Sequence, residues 1–95
     1  MIKADFVVVG SGLSGSTIAR VLTDHHQKVI VLERKKHIAG NIYDYQHHSG
    51  LRIHKYGPHY FRCNSEMIWN FFNRFSSFYD WSAEVKIKSG NEYFA

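Results

Sequence analysis

The chain has little cysteine, little proline, few acids and no long hydrophobic run. A single cysteine, Cys63, among 95 residues excludes an internal disulfide framework and suits a reducing compartment. A single proline, Pro58, leaves no room for a Pro-rich linker. No stretch approaches the ~18–20 apolar residues of a membrane-spanning helix, so no membrane insertion is expected. Lys3 precedes the apolar run Phe6-Val7-Val8-Val9, but Asp5 interrupts the approach and glycines follow at once, unlike a signal peptide. A cytoplasmic location is expected. Acids number 8 against 12 Lys and Arg, a balance open to a polyanionic partner. The bases, however, form only one local cluster, Arg34-Lys35-Lys36-His37, rather than the one-faced stripe with interleaved aromatics of a nucleic-acid binder. No nucleic-acid partner is expected.

What is present is apolar and aromatic, 44% and 16% of residues, which excludes a disordered chain. The length predicts one domain over residues 1–95, since domains usually run ~100–200 residues. Its core should be modest, because a chain this small buries only roughly 60–70% of its unfolded surface.

The first third is the most patterned. Phe6-Val7-Val8-Val9 reads as a short strand buried on both faces, as in a parallel sheet. Gly10-Ser11-Gly12-Leu13-Ser14-Gly15 breaks it. A helix is predicted from about Leu13 to His25, with Ile18, Val21 and Leu22 on its buried face. Lys28 to Glu33 is a second buried strand ending in an acid. Strand, glycine turn, helix and strand make a βαβ unit. Beyond it, Arg34 to His48 reads as loop, with Ile42–Tyr45 and Leu51–His54 able to pair as a hairpin around His47-His48-Ser49-Gly50. Asn64 or Ser65 can cap a helix with Glu66 in its first turn and an Ile68, Phe71, Phe72, Phe75 stripe. Val85–Lys88 and Glu92–Ala95 bracket a hairpin turn at Ser89-Gly90-Asn91.

The G-x-G-x-x-G string carries weight here because it leaves a strand, opens a helix and precedes a strand with an acidic end. Gly10 makes the tight turn, Gly12 lets backbone approach a pyrophosphate, and Gly15 lets the helix pack closely on the sheet. The helix N-terminus then offers unpaired N–H groups to phosphates. Glu33, at the end of the second strand, is placed to accept both hydroxyls of an adenosine ribose and to repel a 2′-phosphate. The glycines leave FAD and NAD open.

Further segments make a resemblance specific. Val9 to Gly15, Glu33-Arg34, His37-Ile38-Ala39-Gly40-Asn41 and His54-Lys55-Tyr56-Gly57-Pro58-His59-Tyr60-Phe61 resemble, in order and spacing, the amino-terminal part of UDP-galactopyranose mutases. The resemblance implies an α/β, Rossmann-like FAD-binding domain, followed by a β-hairpin and an aromatic helix. It implies a nucleotide-sugar isomerase that interconverts UDP-galactopyranose and UDP-galactofuranose with no net redox change. In that family the reduced flavin N5 is thought to attack the anomeric carbon, and the sugar adduct ring-opens and recloses. Carried onto this chain, Gly10, Gly12, Leu13, Ser14 and Gly15 would meet the pyrophosphate. Glu33 and Arg34 would flank the adenosine, Gly40 and Asn41 would reach the cofactor, and His59 and Tyr60 would lie against the flavin. No catalytic side chain is assigned. A UDP-galactose-type partner is implied, and a homo-oligomer is allowed.

Ala39 stands where the family has a glycine, and an alanine is strained wherever a close approach or a positive φ is required. Arg62-Cys63 replaces a common His-Thr, and Ala83 aligns with a substrate-contacting asparagine. An amine-oxidase-like flavin oxidoreductase and a non-catalytic dinucleotide-binding remnant are the alternatives. The adjacent pairs His25-His26 and His47-His48 lack metal-ligand spacing, so no metal is expected. Cys63 reads as a half-buried thiol. Trp69, Phe71, Phe72, Phe75 and Phe78 read as core, unless the chain lacks the surface to cover them. Family members are several-fold longer, and the final Glu92-Tyr93-Phe94-Ala95 is strand-like without a closing turn. The chain therefore reads as a truncated FAD-binding domain, with little expectation of turnover alone.

Overall fold

The computed structural model describes residues 1–94. Elements follow the order β1 (Phe6–Val9), α1 (Leu13–Asp24), β2 (Val29–Leu32), a 3-10 turn (Gly40–Ile42), β3 (Asp44–Gln46), β4 (Arg52–His54), α2 (Glu66–Asn73), β5 (Ile87–Ser89) and β6 (Glu92–Phe94). The chain divides into two compact units, Met1–Tyr60 and the segment from Phe61 onward.

In the first unit, β1 and β2 pair in parallel, with Phe6 opposite Val29 and Val9 opposite Leu32. The pair is tied at both ends. The Asp5 carboxylate accepts from the Lys28 N–H at 2.8 Å, and the Gly10 N–H donates to the Leu32 carbonyl at 2.7 Å. Helix α1 ends as His26 turns into the left-handed region, φ 61°, while the N–H groups of His26 and Gln27 donate to Thr23 and Leu22 carbonyls. The βαβ unit thus forms as its apolar pattern and glycine breaks predict.

Its burial differs from the prediction. Among the described residues no hydrophobic side chain is buried, so the modest core expected from length is absent. β1 and β2 form a two-stranded sheet, and Val9 stays 83% exposed. A sheet this narrow cannot enclose its own faces, whatever the residues prefer. The inner line of α1 also shifts. Gly15, Ala19 and Leu22 are half-buried, whereas Ile18 and Val21 stay exposed. Close approach at Gly15 brings Ala19 and Leu22, rather than Ile18 and Val21, inward.

β3 and β4 make an antiparallel hairpin, with Asp44 opposite His54 and Gln46 opposite Arg52. Its ladder starts later than expected because Ile42 belongs to the 3-10 turn. Asp44 and Arg52 form an ion pair across it.

In the second unit, Ser65 caps α2 by accepting from the Ile68 N–H at 3.5 Å, with Glu66 in the first turn. Phe75 lies beyond the helix end at Asn73, so the expected stripe is helical only through Phe72. Phe61 packs on Phe72 and Phe78 with ring centroids 4.8 and 5.1 Å apart. These rings cluster without being buried: Phe71 and Phe72 are half-covered, while Trp69, Phe75 and Phe78 are exposed. Cys63 is exposed rather than half-buried. The β5–β6 hairpin pairs Ile87 with Phe94 and Ser89 with Glu92. Val85 and Lys86 precede it outside the strand, and Ala95 lies outside the described residues.

Candidate dinucleotide site

The turn between β1 and α1 is built on backbone that only glycine tolerates well. Gly10 adopts φ +97°, which lets the chain leave the strand and enter the helix at once. A Cβ on Gly15 would stand 2.0 Å from the Gly10 carbonyl oxygen and 3.3 Å from a Val8 methyl. Gly15 is therefore obligatory for helix-on-strand packing, as its position in the motif predicts.

A second loop closes on this turn. The Ala39 N–H donates to the Ser11 carbonyl at 2.9 Å, which brings Gly40 against Gly12. A Cβ on Gly40, itself at φ +56°, would lie 2.9 Å from the Gly12 Cα. Ala39 occupies the left-handed region at φ 72°. This is the positive φ that makes an alanine costly there, of order 1–2 kcal/mol.

Between the loops runs an open groove of about 390 Å³, lined by Val9, Gly10, Gly12, Leu13, Ser14, Gly15 and the segment Ala39–Ile42. Helix α1 begins on it at Gly12 with no side-chain cap and no acid in its first turn. The first N–H groups of a helix lack intrahelical acceptors and carry partial positive charge. Here neither is satisfied by the helix's own side chains. Such an end suits a phosphate.

Glu33 is tied to the glycine turn through Ser11. Its Oε2 accepts from the Ser11 N–H at 2.8 Å and from the Ser11 hydroxyl at 2.7 Å. Its Oε1 accepts from the Lys35 N–H at 2.8 Å. These donors, led by the Lys35 N–H and followed by the Ser11 hydroxyl and N–H, with the Arg34 N–H adding a smaller part, hold the carboxyl at about 2 against the ordinary 4.5.

Of the residues expected at this site, Gly10, Gly12, Leu13, Ser14, Gly15, Gly40 and Asn41 come together on the groove. Glu33 joins them through Ser11. Arg34, His59 and Tyr60 are not among the lining residues. His59 instead folds its segment back: its Nδ1 donates to the Gly57 carbonyl at 2.8 Å, and its N–H reaches His54 Nδ1 at 3.4 Å. Tyr60 is exposed.

Ser11, Lys35 and Tyr56 are site-forming residues without a role in the sequence reading. Lys35 Nζ donates to Asn41 Oδ1 at 3.4 Å and sits 4.2 Å from the centre of the Tyr56 ring. His37 stacks on Tyr43 at 4.0 Å and shares a 2.7 Å hydrogen bond with the Tyr56 hydroxyl. Together they fasten the 34–43 loop. Only the hydroxyl inside G-x-G gave any local signal. Among the described residues no group of three His, Cys, Asp or Glu is placed to hold a metal, and no helix is long and apolar enough to cross a membrane.

Comparison with known proteins agrees with this geometry. The chain is 37% identical over 90 residues to a dTDP-fucopyranose mutase of Escherichia coli, covering 94% of this chain and 24% of the relative. It is 35% identical over 88 residues to a UDP-galactopyranose mutase of Mycoplasma genitalium, covering 92% and 22%. A UDP-galactopyranose mutase of Mycoplasma pneumoniae is 33% identical over 90 residues, covering 94% and 23%. The chain thus spans about a quarter of the length of the curated relatives it matches. The family model for an NAD(P)-binding Rossmann-like domain matches residues 8–75, a span that starts within β1 and holds the glycine turn, α1, β2, the closing loop and α2. This chain belongs to the NAD(P)-binding Rossmann-like domain family.

Proposed function

We propose that this chain is the FAD-binding part of a flavin-dependent nucleotide-sugar mutase that interconverts UDP-galactopyranose and UDP-galactofuranose. The carrying observation is the uncapped start of α1 facing a groove walled by glycine backbone. That surface fits a dinucleotide pyrophosphate, and the glycines keep side chains out of its path. The mutase names of the relatives support the reaction class. They support a nucleoside-diphosphate hexose as partner, with dTDP-fucopyranose as the neighbouring substrate.

FAD, when bound, supplies the nucleophilic chemistry at the sugar. The chain's own residues bind and orient it. The first-turn N–H groups of α1 take the pyrophosphate, Gly12 and Gly40 allow its close approach, and Asn41 sits on the groove wall. Glu33 keeps its charge across the physiological range and accepts from the hydroxyls of the adenosine ribose. Arg34, His59 and Tyr60 are proposed to reach the cofactor from outside the groove. The whole chain is read as one partial cytoplasmic domain, with self-association allowed.

Adding FAD to the purified chain and recording the bound-flavin absorbance tests the site. A colourless chain that fails to take up FAD sinks this reading. If flavin binds, formation of UDP-galactopyranose from UDP-galactofuranose under reducing conditions separates a mutase from an oxidase. Oxygen consumption with amines, without isomerisation, would favour an oxidase instead.

A further inference from the structure

Ser11 is the single buried polar residue among the described residues, 5% exposed. Every polar group it carries is engaged. Its N–H and hydroxyl donate to Glu33 Oε2, and its carbonyl accepts from the Ala39 N–H at 2.9 Å and the Ser16 hydroxyl at 3.1 Å. The backbone groups alone join the glycine turn to Glu33 and to the Ala39 loop. The hydroxyl adds a second donor to an oxygen already bonded. With the Lys35 N–H on Oε1, that donor clamps the carboxylate from both sides and stops it turning.

We propose that the Ser11 hydroxyl is a positioning residue for the ribose of an adenine dinucleotide, holding the Glu33 carboxylate in the orientation in which it accepts from a ribose hydroxyl. The inference rests on the dinucleotide reading above and deepens it. A clamped carboxylate presents its lone pairs in fixed directions and so favours a donor held in one of them. A 2′-phosphate offers a second negative charge there in place of a donor. Because buried polar groups are costly to leave unsatisfied, the clamp persists between binding events.

The test titrates the full chain with ADP and with 2′,3′-dideoxy-ADP, comparing wild type and Ser11→Ala. Ser11→Ala should weaken ADP about tenfold, as for one charge-assisted hydrogen bond. It should leave dideoxy-ADP nearly unchanged and move the Glu33 carboxyl, followed by NMR, up toward the ordinary range. Equal weakening of both nucleotides means a merely structural role and overturns the proposal, as does unchanged ADP affinity. Wild type binding neither nucleotide overturns the dinucleotide reading itself. If Ser11→Ala does not fold, Ser11→Cys keeps the size with a weak donor and should show the same selective loss.

Discussion

Helix α1 begins at Gly12, with no side chain bonded to its first turn and no acid within it. Helix α2 begins at Ser65, whose hydroxyl accepts from the Ile68 N–H, with Glu66 following. Both starts expose N–H groups and a partial positive charge. α2 satisfies one of them with its own Ser65 hydroxyl and sets Glu66 against the charge. α1 leaves them facing a groove, and the nearby carboxylate, Glu33, is instead held by Ser11 and Lys35. The difference separates a helix that only has to be stable from one that keeps its end free for an anion.

The most disruptive way to break this contrast is Gly15→Ala. The new Cβ would stand 2.0 Å from the Gly10 carbonyl oxygen, with backbone rather than a flexible side chain in the way. Overpacking costs typically ~1–3 kcal/mol, and here the top of that range or more is expected. Urea denaturation followed by circular dichroism would show the loss of α1.

Giving α1 the cap that α2 has should reverse its character. Gly12→Asp adds a Cβ whose nearest neighbour is at 3.9 Å, so the turn should tolerate it. A capping carboxylate in place of Gly should stabilise the helix by only a few tenths, about 0.3 kcal/mol. The same negative charge should lower FAD affinity about 100-fold, measured by fluorescence titration; that is about 2.7 kcal/mol.

The opposite operation, Ser65→Ala, should cost α2 about 1 kcal/mol in thermal unfolding and leave FAD affinity unchanged. Ala39→Gly relieves the left-handed alanine at φ 72°. Added chain entropy offsets part of that relief, so a gain of up to about 1 kcal/mol is expected in the same measurement.

The subtlest effect is in acid. Glu33 titrates near 2 in the folded chain, below its ordinary 4.5. Its stabilising contribution is complete above about pH 4.5 and is lost as pH falls toward 2. Wild-type stability should therefore drop through that window more than that of Glu33→Gln, the two converging at its lower end. Parallel curves would contradict the clamp.

The βαβ unit and the groove were legible because their signals are local. Apolar runs, helical spacing and Gly10, Gly12 and Gly15 each act within a few residues of their position. The left-handed strain at Ala39 was legible from the glycine expected there, and it is observed at φ 72°. Burial was not legible. Apolar strands announce that they prefer cover, and β1 and β2 in a two-stranded sheet are only partly covered, with Val8, Val29 and Ile30 half-buried. The inner face of α1 was legible at Gly15 and Leu22, whereas Ala19 takes the place expected of Ile18 and Val21. The Ser11–Glu33 clamp joins residues 22 positions apart, a contact that exists only once the parallel pair has formed.

The most direct measurement is FAD titration of the wild-type chain beside Gly12→Asp, with folding of both checked by circular dichroism. Wild type should bind saturably, with a loss of about 100-fold in a folded Gly12→Asp chain. Equal binding by the two folded proteins, or none by wild type, would contradict the open α1 start as the dinucleotide site.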